Sequence, residues 1–140
     1  MPARELVLRA YDAWERLEGG DETAAIAFGE IVHPDFVYEP SGLFPGFDER
    51  YVGVDGMLRF ARQMLESWTS FEIDLQSLAE EEERVLAELR FRARGVASGI
   101  EVDLPFAHGW HLRDGLIDHL IAQPSAAGVR ARWRELGLAP

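Results

Sequence analysis

The sequence predicts an α+β domain: a curved antiparallel β-sheet wrapped around three N-terminal helices, forming a cone-shaped α+β barrel, with a short C-terminal helix. Three observations point there. Over the first half, apolar residues recur at three- and four-residue steps, the period of amphipathic helices. After Trp68 the pattern switches to alternation, the period of half-buried strands. The helices precede the strands rather than interleaving with them, which marks α+β rather than α/β.

The elements follow in order. Leu6, Val7, Ala10, Trp14 and Leu17 paint one side of a first helix, which Gly19-Gly20 ends. Asp21 is placed to cap a second helix through Ile31, and His33-Pro34 stops it, because proline disfavours helical geometry in the residue before it. A short strand is expected from Phe36 to Glu39. The loop after it, Pro40 to Phe47, spends three large apolar residues, as loops do when they fold over something. Past Gly53, Met57, Phe60, Ala61, Met64, Leu65 and Trp68 form the stripe of a third helix.

Phe71, Ile73 and Leu75 then alternate with polar residues, and Val85, Ala87, Leu89, Phe91 and Ala93 do so again after a solvated Glu80–Glu83 turn. Ile100 to Leu112 returns antiparallel, and Arg113-Asp114-Gly115 closes a hairpin. Ser125 to Leu136, with Val129 and Trp133 four apart, reads as the C-terminal helix. No repeat or linker divides the chain, so residues 1–140 are expected to form one domain. A sheet curled over helices leaves a conical cavity open at its loops.

Composition excludes more than it identifies. All 14 basic residues are arginine, against 25 acidic ones, and the formal charge of −11 repels nucleic acid and anionic membranes. With no cysteine, thiolate chemistry and zinc–sulfur sites are ruled out. His33, His111 and His119 lack metal-ligand spacing, so no metal and no other cofactor is expected. The N-terminus lacks the pattern of a secretory signal and no apolar stretch approaches a membrane span, so a cytoplasmic location is expected.

The hairpin carries the candidate chemistry. Side chains alternate along a strand, so Phe106, His108, Trp110 and Leu112 share one face. A histidine among large apolar neighbours needs a partner; it is either a satisfied core histidine or a group that donates to, or takes a proton from, a ligand. Its partner depends on register. A three-residue loop with Gly115 in a bulge turns Leu116, Asp118, Leu120 and Ala122 inward and sets up a His108–Asp118 dyad, the favoured reading. A two-residue turn instead sends His119 and Gln123 inward and Asp118 outward. Tyr11, Trp14, Tyr51, Trp68 and Trp110, with Leu120, are candidate walls for a flat hydrophobic ligand, and equally plain core. Tyr38 and Phe44 are candidate lid residues or loop anchors. Arg90, Arg92 and Arg94 form an outward ladder expected to pair with Glu101 and Asp103 or to meet a second subunit.

Four motifs in register resemble the nuclear-transport-factor-2-like superfamily, closest to its SnoaL-like polyketide cyclase and ketosteroid isomerase branch. They are His33-Pro34-Asp35-Phe36-Val37, Tyr51-Val52-Gly53-Val54-Asp55-Gly56, Ser98-Gly99-Ile100-Glu101 and Trp110-His111-Leu112-Arg113-Asp114-Gly115-Leu116-Ile117. The match runs from about residue 4 to 136, and the fold hosts both enzymes and binders. The resemblance implies a carboxylate base just before a proline at the end of the first strand, where Glu39-Pro40 stands, and an oxyanion donor where His108 stands. Tyr11 and Trp14 are the nearest aromatics to the isomerase tyrosine, at a different spacing. Leu120 and Ala122 occupy the inward places nearest the cyclases' His and Asp. The expectation is a cofactor-independent isomerase, cyclase or lyase moving protons on an apolar cyclic ketone or polyketide-like molecule. Glu39 would be its base and His108, oriented by Asp118, its oxyanion donor. The alternative is a pocket protein without turnover, with Glu39 a solvated strand-end residue. The resemblance also implies a homodimer through the outer sheet face, with which outward Ile117 and Ile121 are compatible.

Overall fold

A computed structural model describes residues 1–140. Helix α1 (Ala3–Glu18) buries Leu6, Val7, Ala10, Ala13 and Leu17 along one stripe and ends where Gly20 takes a positive φ of 88°. Helix α2 (Ala24–Gly29) is only six residues, shorter than expected, because β1 (Val32–Glu39) begins before Pro34 and claims the following backbone for the sheet. The pair β2 (Tyr51–Val52) and α3 (Gly53–Ser67) follows the loop at 40–50. Strands β3 (Trp68–Glu81), β4 (Arg84–Gly95), β5 (Glu101–Arg113) and β6 (Leu116–Gln123) form the meander, and α4 (Ala126–Glu135) closes the chain.

The six strands lie in the order β2-β1-β6-β5-β4-β3. Two expectations are corrected here. The sheet is mixed, because β1 pairs parallel with β6, the strand on which the meander ends. It is also an open sheet rather than a barrel: β2 and β3 are its edges. Of the helices before the meander, only α1 and α3 are long enough to line its inner face; α2 is less than two turns.

The hairpin register is decided in two steps. Arg113 pairs with Leu116 across a two-residue loop in which Asp114 (φ 54°) and Gly115 (φ 79°) are both left-handed, the geometry of a type I′ turn. The bulge lies further on, at Asp118, where the register shifts between Leu112–Ile117 and His111–His119. An extra residue at that point keeps Ile117 on the inner face and returns Leu120 and Ala122 to it beyond the bulge, while Asp118 and His119 both face outward. The three-residue loop expected to turn Leu116, Asp118, Leu120 and Ala122 inward is thus contradicted at Leu116 and Asp118, while Leu120 and Ala122 do face inward. Neither Ile117 nor Ile121 is available to a partner. Ile117 belongs to the main core and Ile121 lies beneath α4, each fully buried within one chain.

Outside the sheet, α4 covers a second, smaller core of Leu86, Ala107, Ile121, Val129 and Trp133. Ser125 caps it by accepting from the Gly128 backbone N–H at 3.2 Å. Docking requires a glycine at 109, because a Cβ there would stand 2.4 Å from Val129 Cγ1 and 2.9 Å from the Trp133 ring. The arginine ladder pairs as expected, Arg90 with Asp103 and Arg94 with Glu101, with Arg92 also reaching Asp74. Gly109→Ala is expected to cost about 1–3 kcal/mol by overpacking, read as a lowered urea midpoint; an unchanged midpoint would show that α4 does not sit on this strand.

Candidate functional site

Alternation along β5 builds the site. His108 and Trp110 point to the inner face while Gly109 between them lies under α4, so one strand serves two cores. From the other side, the α1 stripe supplies Ala10, Tyr11, Trp14 and Leu17. Between them lies a cavity of about 40 Å³, lined also by Phe28, Tyr38, Phe44, Met57, Phe60, Ile73, Phe106 and Leu120.

Within this apolar lining a short polar relay ties β5 to α1. The Trp110 indole N–H donates to the Tyr11 hydroxyl at 3.0 Å, and that hydroxyl lies 2.7 Å from His108 Nδ1. Tyr11 also stacks on the imidazole, with ring centroids 5.8 Å apart and 13° between planes. His108 is only 7% exposed. Burial without an ionic partner pushes its pKa down to about 3, so the imidazole is neutral across the physiological range. Burial pushes the Tyr11 and Tyr38 phenols the other way, and both stay protonated. The Tyr38 hydroxyl makes no hydrogen bond within the chain.

The structure does not bring the expected catalytic residues together. Glu39 is buried, but one residue beyond Tyr38 it faces α4. Its carboxylate accepts from Arg132 Nε at 3.1 Å and Nη2 at 3.3 Å, with His119 Nε2 3.6 Å away. Asp118, pushed outward by the bulge, pairs instead with His111 Nδ1 at 2.6 Å and lies 3.5 Å from Arg113 Nε. Glu39 and Asp118 thus lie across the sheet from His108, and neither carboxylate faces the cavity or pairs with the imidazole. The cause is parity: in a strand, neighbours face opposite ways, and Tyr38 took the inward place.

Of the expected wall residues, Tyr11, Trp14, Tyr38, Phe44, Trp110 and Leu120 line the cavity. Tyr51 does not; its hydroxyl is tied to Gln63 and accepts from the Asp48 N–H at 3.0 Å. Trp68 packs on Phe91 outside the cavity. Sequence reading missed Ala10, Leu17, Phe28, Met57, Phe60, Ile73 and Phe106. Their helical and strand periodicity marked them as core, and nothing in that signal separates a core residue from a cavity wall.

It also missed Glu18. An outer cleft of about 370 Å³ shares Tyr11, Trp14 and Ile73 with the cavity and adds Glu15, Glu18, Glu72 and Asp74. Burial raises the Glu18 pKa to about 7, partly offset by the nearby Trp14 indole, although Glu18 Oε1 and Trp14 Nε1 close no hydrogen bond. No three His, Asp or Glu side chains converge so as to hold a metal ion. No helix is long and apolar enough to cross a membrane.

The family model for the SnoaL-like domain matches residues 7–120. Comparison with curated proteins finds no match. Among solved structures, an NTF2-like protein from Burkholderia thailandensis E264 is 21% identical, with a TM-score of 0.76 over 93% of this chain and 98% of that one. A protein described as a SnoaL-like polyketide cyclase, from Jannaschia sp. CCS1, is 19% identical, with a TM-score of 0.70 over 92% of this chain and 89% of that one. TerC, co-crystallised with polyporic acid, is 16% identical, with a TM-score of 0.70 over 94% of this chain and 97% of that one. At such identities these structures share the fold, and function must be argued from the site.

The buried imidazole sets a pH dependence. Its folded pKa lies below the unfolded value of 6.5, so between about 6.5 and 3 the unfolded chain binds the extra proton and stability falls as pH is lowered. Glu18 works oppositely: between 4.5 and about 7 the folded protein holds the proton, and stability falls as pH rises. Each group changes the slope by at most about 1.4 kcal/mol per pH unit. Urea midpoints at pH 7, 5.5 and 4 are expected to show that, relative to wild type, His108→Asn gains stability as pH falls and Glu18→Gln loses it. A difference between His108→Asn and wild type that stays constant from pH 7 to 4 would contradict a buried neutral imidazole.

Proposed function

Because the chain belongs to the SnoaL-like domain family, we propose that it is a small-molecule pocket protein that binds an apolar, ring-containing ketone or polyketide-like compound in the cavity between α1 and the sheet. One observation carries this reading: an almost wholly apolar lining into which His108 and Tyr38 bring polar atoms without partners in the chain. Such a site holds a ligand's rings by burial and orients it by a few polar contacts. The solved TerC complex with polyporic acid supports the ligand class.

At about 40 Å³ the cavity holds only a few water-sized groups, well short of the several hundred Å³ of a typical ligand pocket. A ring enters by displacing Phe44, which packs on Phe60 and Phe91 from the loop at 40–50. That loop turns on Ser41, Gly42 and Gly46, all at positive φ, and carries Phe47 beside Phe44. The loop is therefore the lid of the site.

Whether turnover follows binding depends on a proton acceptor. No carboxylate lines the cavity, which favours binding without the Glu39-driven proton transfer that the resemblance implied. A second reading, an isomerase, cyclase or lyase, has one observation in its favour: the imidazole is held by a partner on α1 in a dry site, as a group that stabilises an enolate oxygen would be. In that reading His108 stabilises the enolate oxygen, and the substrate proton passes to and from water, because the lining holds no carboxylate to take it. Homodimer formation rests on the family resemblance alone.

Quenching of tryptophan fluorescence tests the site, since Trp14 and Trp110 line it. Titration with polyporic acid and with 1-indanone is expected to saturate, to weaken at least tenfold in Ala10→Leu, which fills the cavity, and to be unchanged in Glu39→Gln. Failure of both compounds to bind, or binding that Ala10→Leu leaves intact, would contradict the assignment.

A further inference from the structure

The relay that satisfies His108 is directional, and its direction has a consequence for what the cavity accepts. Trp110 Nε1 is a donor only, so the Tyr11 oxygen receives that proton. The hydroxyl's own proton then needs an acceptor, and the single other polar atom within hydrogen-bonding reach is His108 Nδ1, at 2.7 Å. Were Nδ1 protonated instead, it would donate to the Tyr11 oxygen beside Trp110, and the phenol proton would be left without a partner in a buried apolar site, a cost of about 1–3 kcal/mol.

From this we infer that the structure fixes His108 as the neutral Nε2–H tautomer, with Tyr11 as the positioning residue, so that the cavity offers a ligand a permanent hydrogen-bond donor. Nε2 makes no bond within the chain, and the side chain is more than nine-tenths buried. The complementary group is an acceptor oxygen on an apolar ring: a ketone, a quinone or an enolate. Ligands whose only polar group is a donor, such as ammonium compounds, meet like polarity at this atom. Tyr38 donates or accepts as required, so the selection comes from His108 alone. The ligand-selection part rests on the reading of the cavity as the binding site; the tautomer does not.

The charged groups nearest in sequence leave this arrangement alone. His111 and Asp118 pair on the outer face, Glu39 is held by Arg132, and no ionisable group other than Tyr11 and Tyr38 joins His108 in the cavity lining.

Two-bond proton–nitrogen correlation spectra of the ¹⁵N-labelled full chain read the tautomer directly. The expected spectrum shows a protonated Nε2 and an unprotonated Nδ1 for His108, unchanged from pH 8 to 5. In Tyr11→Phe, which removes the donor to Nδ1, both tautomers are expected. A protonated Nδ1 in the wild type, or titration near pH 6.5, overturns the inference. Shape-matched probes then test selection: 1-indanone is expected to bind about tenfold tighter than indane, and Tyr11→Phe to erode the preference. Equal affinity of the two probes in the wild type overturns selection by His108. A spectrum with protonated Nε2 but no binding of either probe overturns the ligand reading, and selection with it, while the tautomer stands.

Discussion

A histidine in an apolar cavity has to be satisfied by something, and the Tyr11–His108 hydrogen bond is the contact on which this structure turns. It spans 97 residues of sequence and clamps the first helix to the fifth strand at the centre of the sheet. Remove it and the cavity holds an imidazole nitrogen with nothing to satisfy it. Keep it and the ring's protonation, tautomer and orientation are all set by neighbours that cannot ionise near neutral pH. Trp110 completes the arrangement by occupying the hydroxyl's acceptor side, and its ring meets Tyr11 edge-on at 5.3 Å.

The same strand explains why the two faces of the sheet have different characters. His108 and Trp110 look toward α1, where the contacts are aromatic and dry. Between them, Gly109 lets α4 settle close on the outer face, and that helix brings Arg132 to Glu39. The outer face is therefore ionic: Glu39 with Arg132 and His119, Asp118 with His111 and Arg113, and beyond these the arginine ladder of β4. Placing carboxylates outside, where arginine and solvent offset their charge, leaves the cavity free of ions. That separation follows from alternation along the strands, and it removes the expected base from the site.

How much of this was legible in the sequence depended on the range of the interaction. Periodicity located α1, α3 and β3 through β6, because a helix or strand buries a face and the face is written locally. The Asp114-Gly115 turn was legible for the same reason. The parallel pairing of β1 with β6 was not, since nothing near Phe36 states which distant strand it will meet. Glu39 is misplaced for a finer reason: a single step of parity separates a cavity residue from one on the outer face, and nothing local gives the inward place to Tyr38 rather than to Glu39. Asp118 failed because a bulge, which reverses parity for the rest of the strand, leaves no local mark in Leu116 to Ala122. His108 was found by its apolar neighbours, but its partner on α1 was not.

Ligand recognition falls to one atom, Nε2 of His108, on the inner face, while Glu39 holds α4 through Arg132. The most direct measurement is a crystal structure of the protein soaked with 1-indanone. The ring is expected between α1 and the sheet with Phe44 displaced, and the carbonyl oxygen about 3 Å from His108 Nε2. A ligand seated on the outer face against Glu39 and Arg132, or one in the cavity with its oxygen turned away from His108, would contradict this assignment.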